Sequence, residues 1–248
     1  MDTHNLFNDK SDIYARARPR YPEALYQWLA NQCQERKMAW DAACGNGQAA
    51  AGLRKYFQFV EATDISPAQI ANAPTYERVR FSVQPSEKTT FAANSFDAVC
   101  VAQAIHWFDH DRFWPEVRRV LKPGGIFAAW GYSWLKINNT IDKVLQEKLF
   151  PILEPYWPPQ NQLLWNNYKD IHMPFAPIEP PQMSLEVHWD IDDLFGFLHS
   201  WSATRRCMND IGEAFFWDVQ KEVAALWGGD ARKKVTMDLI FLVGKNDK

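Results

Sequence analysis

Apolar and polar positions alternate in two rhythms between residues 22 and 133. "PEALYQWLANQC" (22–33) sets Leu25, Trp28 and Leu29 at helical spacing behind Pro22, which suits a first helical turn. "KMAWDAAC" (37–44) is a short strand that runs into a glycine loop, and "GQAAAGLRKYF" (47–57) returns to a helix rich in small residues. "FVEATDIS" (59–66) predicts a second strand. "SPAQIANAP" (66–74) predicts a helix with Ser66 as its cap and Pro67 in its first position. "VRFSVQ" (79–84) and "FDAVCVAQ" (96–103) are strands three and four, the last apolar on both faces as a central parallel strand should be. "DRFWPEVRRVL" (111–121) is a helix closed by "KPGG", which turns the chain into the strand "IFAAWGYS" (126–133). Strand and helix alternating in this way imply a doubly wound parallel sheet.

The rhythm breaks after residue 133. "NTIDKVLQEKLF" (139–150) is helical, but "PILEPYWPPQNQ" (151–162) and "MPFAPIEPPQ" (173–182) concentrate proline. Tyr156, Trp157, Trp165 and Phe175 lie among these prolines, so the segment reads as ordered loops and not as a flexible linker. "MSLEVHWDI" (183–191) then alternates like a strand, while "DDLFGFLHSW" (192–201) and "EAFFWDVQKEVAALW" (213–227) are helical. "KVTMDLIFLVGK" (234–245) closes the chain as a strand. The expected α/β sheet has about seven strands, mostly parallel, with an antiparallel last strand. One domain spans 1–248, with its core in 22–133 and 183–248. Residues 134–182 form a helical, proline-rich insertion over the substrate site, and residues 1–21 an N-terminal lid.

Composition narrows the function. The 248 residues are 47% hydrophobic, enough for a substantial core, and a formal charge of -3 argues against a general nucleic-acid binder. Cysteines 33, 44, 100 and 207 make no close pair, and the histidines have no metal-ligand spacing; both point to a reduced, cytoplasmic protein without a metal site. No run reaches the ~18 consecutive apolar residues of a membrane span, and the first residues hold no signal sequence. A monomer or weak dimer acting on a small molecule is the expectation.

In an open α/β sheet, ligands sit beyond the carboxyl ends of the strands. Asp41, Gly45 and Gly47, Asp64, and the stretch from Gln103 to Trp107 all fall at such ends. Gly45, Gly47 and Ala50 fit the dinucleotide pattern G-x-G-x-x-[GA], and Asp64 follows Gly45 at a distance suited to a ribose diol. Asp41 does not fit a dinucleotide, because a pyrophosphate avoids negative charge at the first helix. An aspartate there suits a ligand with an ammonium group, and S-adenosylmethionine has both the amine and the ribose.

Four ordered motifs then resemble class I S-adenosylmethionine-dependent methyltransferases, especially the type-11 methyltransferase domain, over about residues 11 to 133. "DAACGNG" is similar to the family's glycine motif, with Ala43 in place of its first glycine; "ATDIS" is similar to its ribose-binding strand end. "SEKTTFAANSFDAV" resembles the adenine loop and fourth strand, and "RRVLKPGG" the approach to the fifth. "YARARPRYP" and "AQAIHWFD" further resemble the trans-aconitate methyltransferase-like branch. The resemblance implies a Rossmann-like fold and cofactor contacts from Tyr14, Arg18, Asp41, Ala43, Gly45, Gly47, Asp64, Ile65, Ser86, Glu87, Gln103 and Ala104. Pro85 stands where the family often has an acidic residue, so adenine contact would rest on the backbone at Ser86 and Glu87.

On the acceptor side, His106 is the candidate proton acceptor, and Trp107, Trp134 and Arg205 the candidate substrate contacts. The implied reaction is methyl transfer to a small molecule, a carboxylic acid being one acceptor class that needs no base. Two alternatives remain open from sequence: an NAD-dependent oxidoreductase, and a non-catalytic S-adenosyl-binding protein of the same fold.

Overall fold

The computed structural model describes residues 19–229 and 231–247. Helix α1 (Glu23–Gln32) leads into β1 (Met38–Ala42), α2 (Gln48–Leu53), β2 (Phe59–Asp64), α3 (Pro67–Ala71) and β3 (Val79–Val83). Strand β4 (Phe96–Ala102), a 3₁₀ turn (Ile105–Trp107), α4 (His110–Val120) and β5 (Leu121–Lys136) follow. The insertion carries α5 (Asn139–Val144), a π turn (Leu145–Leu149), α6 (Phe150–Leu153), α7 (Asn161–Trp165) and the stub β6 (Ala176–Pro177). Strand β7 (Ser184–Trp189), helices α8 (Ile191–His199), α9 (Ser202–Ile211) and α10 (Ala214–Trp227), and strand β8 (Lys233–Lys245) complete the chain.

The sheet order is β3-β2-β1-β4-β5-β8, parallel as far as β5, with β8 antiparallel to it. β7 and the two-residue β6 both pair with β8, so seven full strands and a stub make the sheet, as the alternation predicted. The strand order reverses between β1 and β4, which sets a crevice at their carboxyl ends. Strand alternation feeds two cores. Ile126, Ala128 and Trp130 of β5 face α1, α2 and the C-terminal helices, whereas Phe127 and Ala129 face α4 and the insertion.

Two local features differ from expectation. "KPGG" does not terminate anything: β5 runs from Leu121 straight through it, with a register shift against β4 between Phe96 and Ala98. Asn246 clamps this stretch, its N–H donating to Gly125 O and its carbonyl accepting from Gly124 N. The 139–150 helix widens into a π turn just before Pro151, which has no N–H to give to the ladder. Residues 202–211 form helix α9, which buries Ala203, Thr204, Cys207 and Met208 along one stripe.

Polar groups inside the sheet are matched locally. Trp40 and Thr63 are fully buried on neighbouring strands, and the indole N–H donates to Thr63 Oγ1 at 2.9 Å. Ser66 caps α3 through Gln69 N, as its position implied. Replacing Thr63 by the isosteric valine should cost about 1–3 kcal/mol, because the indole N–H would lose its partner in a closed core. Urea unfolding of Thr63→Val checks this, and a midpoint unchanged from the parent would contradict it.

Candidate active site

A cavity of about 490 Å³ opens at the carboxyl ends of β1, β2 and β4. Its floor is the loop after β1, wound in left-handed conformations at Ala43 (φ 53°), Gly45 (φ 55°) and Gly47 (φ 86°). A Cβ on Gly47 would lie 2.5 Å from the Phe81 ring, so glycine is required there by both backbone and space. Gly45 meets nothing closer than 3.8 Å and leaves the loop bare toward the cavity. Ala43 adopts the same left-handed geometry with a side chain, at a cost of roughly 1–2 kcal/mol.

Asp64, at the end of β2, ties this loop to the next. Its Oδ2 accepts from Gly45 N at 2.9 Å and its Oδ1 from Ser66 N at 2.8 Å. The carboxylate also lines the cavity, where lone pairs remain for a diol. Burial pushes its acid up, and the backbone donors at Ser66 and Gly45 push it back. Ile65 beside it is 49% exposed and supplies an apolar wall.

Asp41 occupies a different place from the one its motif suggested. It is fully buried beneath the loop and does not line the cavity. Oδ2 accepts from Ala50 N at 2.8 Å and so holds the first turn of α2, while Oδ1 has no partner. Burial is the main cause of a carboxyl pushed from its ordinary 3.8 up to about 7; Ala50 N opposes this and Asp64 adds to it.

Ser86, Glu87, Gln103, Ala104 and Trp107 all line the cavity, as their strand-end positions implied. Glu87 Oε1 accepts from Asp109 N at 3.4 Å, which anchors it near the start of α4. Sequence reasoning missed Arg20, Tyr21, Gln69, Tyr76 and Phe108 on the wall. Arg20 and Tyr21 lay within a quoted motif, and Gln48 Nε2 pins that segment through Pro19 O at 2.7 Å. Tyr76 is braced from behind by the Arg54 guanidinium, 5.0 Å from its ring centre. Tyr14 and Arg18 lie outside the described residues.

The remaining candidates sit away from the cavity wall. His106 is 5% exposed, and its ring contacts Trp107 (5.0 Å between centroids, tilted) and Tyr168 (6.5 Å, stacked). Trp134 belongs to an aromatic cluster with Phe150, Trp157, Trp165 and Trp201 at centroid distances of 4.7–6.3 Å. Arg205 follows on α9, its N–H donating to Trp201 O. Among the described residues no cluster of three His, Cys, Asp or Glu could hold a metal ion, and no helix is long and apolar enough to cross a membrane.

Residues 40–129 match the family model described as a methyltransferase domain. A Dictyostelium discoideum protein named as a methyltransferase is 34% identical over 210 residues, covering 82% of this chain and 80% of that one. A solved structure from Anaeromyxobacter dehalogenans, described as a type II methyltransferase, superposes with a TM-score of 0.88 at 36% identity, covering 92% of this chain and 98% of its own. A Saccharomyces cerevisiae protein named as an S-adenosylmethionine-dependent methyltransferase is 34% identical over 134 residues, 50% of this chain and 46% of that one.

The buried Asp41 carboxyl sets a pH dependence. The folded state holds its proton up to about pH 7, whereas the unfolded chain releases it near 4. The folded state therefore binds more protons in this window, and this group's contribution to stability falls as pH rises from about 4 to about 7. Asp41→Asn should lose that slope and gain on the parent by a few kcal/mol, at about 1.4 kcal/mol per pH unit. Chemical denaturation across pH 4–8 measures it, and parallel profiles for the two proteins would contradict it.

Proposed function

Since the chain belongs to the class I S-adenosylmethionine-dependent methyltransferases, we propose that it methylates a small carboxylic acid that binds on the Gln103–Trp107 side of the cavity. The residues present fit the cofactor. The bare, left-handed loop at Gly45 leaves room for close approach, and Asp64 faces the cavity with unused lone pairs. Ile65 and Tyr76 offer flat apolar surface for a base, with Ser86 and Glu87 beside them. Arg20 is the cation on the described wall and suits a carboxylate. Asp41 supports this site from below, by holding α2 and the loop.

When bound, S-adenosylmethionine supplies a methyl group on a cationic sulfur; a carboxylate oxygen pair forms the new bond as the carbon–sulfur pair returns to sulfur, leaving a neutral ester and a neutral thioether. The observation that carries the acceptor class is the placement of His106. No histidine lines the cavity among the described residues, and His106 is 5% exposed, with its ring against Trp107 and stacked on Tyr168. A phenol or an amine must give up a proton, whereas a carboxylate is already anionic at neutral pH. In this reading His106 positions Trp107, and catalysis rests on orientation and exclusion of water.

Release of S-adenosylhomocysteine from S-adenosylmethionine, measured with panels of carboxylic acids, phenols and amines, tests the reading. Turnover is expected with carboxylic acids, at a rate level between pH 6 and 9, and His106→Asn should lower it by less than about tenfold. A general base would contribute about 10²–10⁴-fold. Turnover confined to phenols or amines, with an acid limb that His106→Asn abolishes, would contradict it.

A further inference from the structure

Two enclosed side-chain oxygens meet where the insertion packs on the sheet, and neither has a hydrogen-bond partner. Gln103 starts on the cavity wall after β4, and its Oε1 is enclosed and unpaired. Tyr168, just after α7, is 1% exposed, and its hydroxyl is likewise unpaired. Both converge on Gly131 of β5: a methyl there would lie 2.6 Å from Gln103 Oε1, 2.6 Å from the Tyr168 hydroxyl and 2.5 Å from Leu164 Cδ1.

Each such atom costs about 1–3 kcal/mol, and folded proteins keep few of them. The fold does not require the Tyr168 hydroxyl, since phenylalanine would fill the same core and stack on His106 equally well. Backbone strain points the same way. Gln103 (φ 57°), Asn167 (φ 56°) and Tyr168 (φ 58°) are all left-handed without being glycine. They are held there by Gln103 N donating to Trp130 O and Tyr168 N donating to Leu163 O, each at 2.8 Å. Strain and unpaired polar atoms thus meet where Gln103, which lines the cavity, reaches Tyr168, which does not, and that pairing points to a binding role.

We propose that Gln103 and Tyr168 form the pocket for the acceptor's head group. The Gln103 carboxamide turns off Gly131, opening the wall, and its N–H and the Tyr168 O–H donate to the two oxygens of a carboxylate. The insertion thus supplies half of acceptor recognition, and Gly131 has no side chain because the two halves meet over it. This inference rests on the acceptor class proposed above.

The test uses the full chain carrying ¹³Cζ-labelled tyrosine, saturated with S-adenosylhomocysteine and titrated with benzoate, with Tyr168→Phe assigning the resonance. The Tyr168 signal should shift saturably with benzoate and not with benzamide. By calorimetry, Tyr168→Phe should bind benzoate at least about tenfold more weakly, as expected for losing a hydrogen bond to a charged group. The same variant should bind S-adenosylhomocysteine normally and melt no lower than the parent, whereas a purely structural hydroxyl would lower the melting temperature. A Tyr168 signal unmoved by benzoate, or parental benzoate affinity in Tyr168→Phe, overturns the proposal. If carboxylic acids are methylated while Tyr168 stays silent, this inference alone fails. If Tyr168 responds but no carboxylic acid is methylated, the pocket stands and the proposed acceptor class fails.

Discussion

The carboxylate of Asp64 is the constraint on which the site depends. It takes one backbone N–H from the loop after β1 and another from the loop after β2. Two loops on adjacent strands are thereby locked into one surface. Glycine at 45 and 47 admits the left-handed run, and the Asp64 brace on Gly45 N joins Cys44 N donating to Thr63 O in holding it, Ala43 included. The Asp64 oxygens face the cavity, so the group that shapes the floor also offers it hydrogen-bond acceptors.

The second aspartate works from underneath. Asp41 replaces a missing helix partner for Ala50 N and fixes where α2 begins, which in turn sets the loop's far end. The two aspartates stand close enough for Asp64 to raise the Asp41 acid, and that acid is already raised by its burial. Sheet and insertion also meet at Gly131. Gln103 comes from the sheet and Tyr168 from the insertion, and the two meet over Gly131. The larger aromatic cluster around Trp134 joins the end of β5, the insertion and the start of α9 into one wall.

Much of this was legible in the sequence because it is local. Apolar periodicity located every strand of the sheet except the two-residue stub β6, and chain distance alone placed Asp64 one strand after the glycine loop. The cap at Ser66 could be read from a single tetrapeptide. What the sequence concealed depends on long-range contacts. That Asp41 lies under the loop, and not in the cavity, follows from its strand face against Cys100 and Ala62, which a motif does not encode. His106 was legible as a residue after β4, but its cover by Tyr168 comes from a segment much later in the chain. Tyr76 and Phe108 carried no motif and join the wall only once β3 and the 3₁₀ turn are in place.

The central claim is that Asp64 both braces the loop and binds the cofactor's ribose. Calorimetric titration of S-adenosylhomocysteine into the parent protein and Asp64→Ala tests it directly. The account predicts affinity lower by about 1.5–3 kcal/mol in the variant, the range for hydrogen bonds to a charged group. Equal affinity in the two proteins would contradict it.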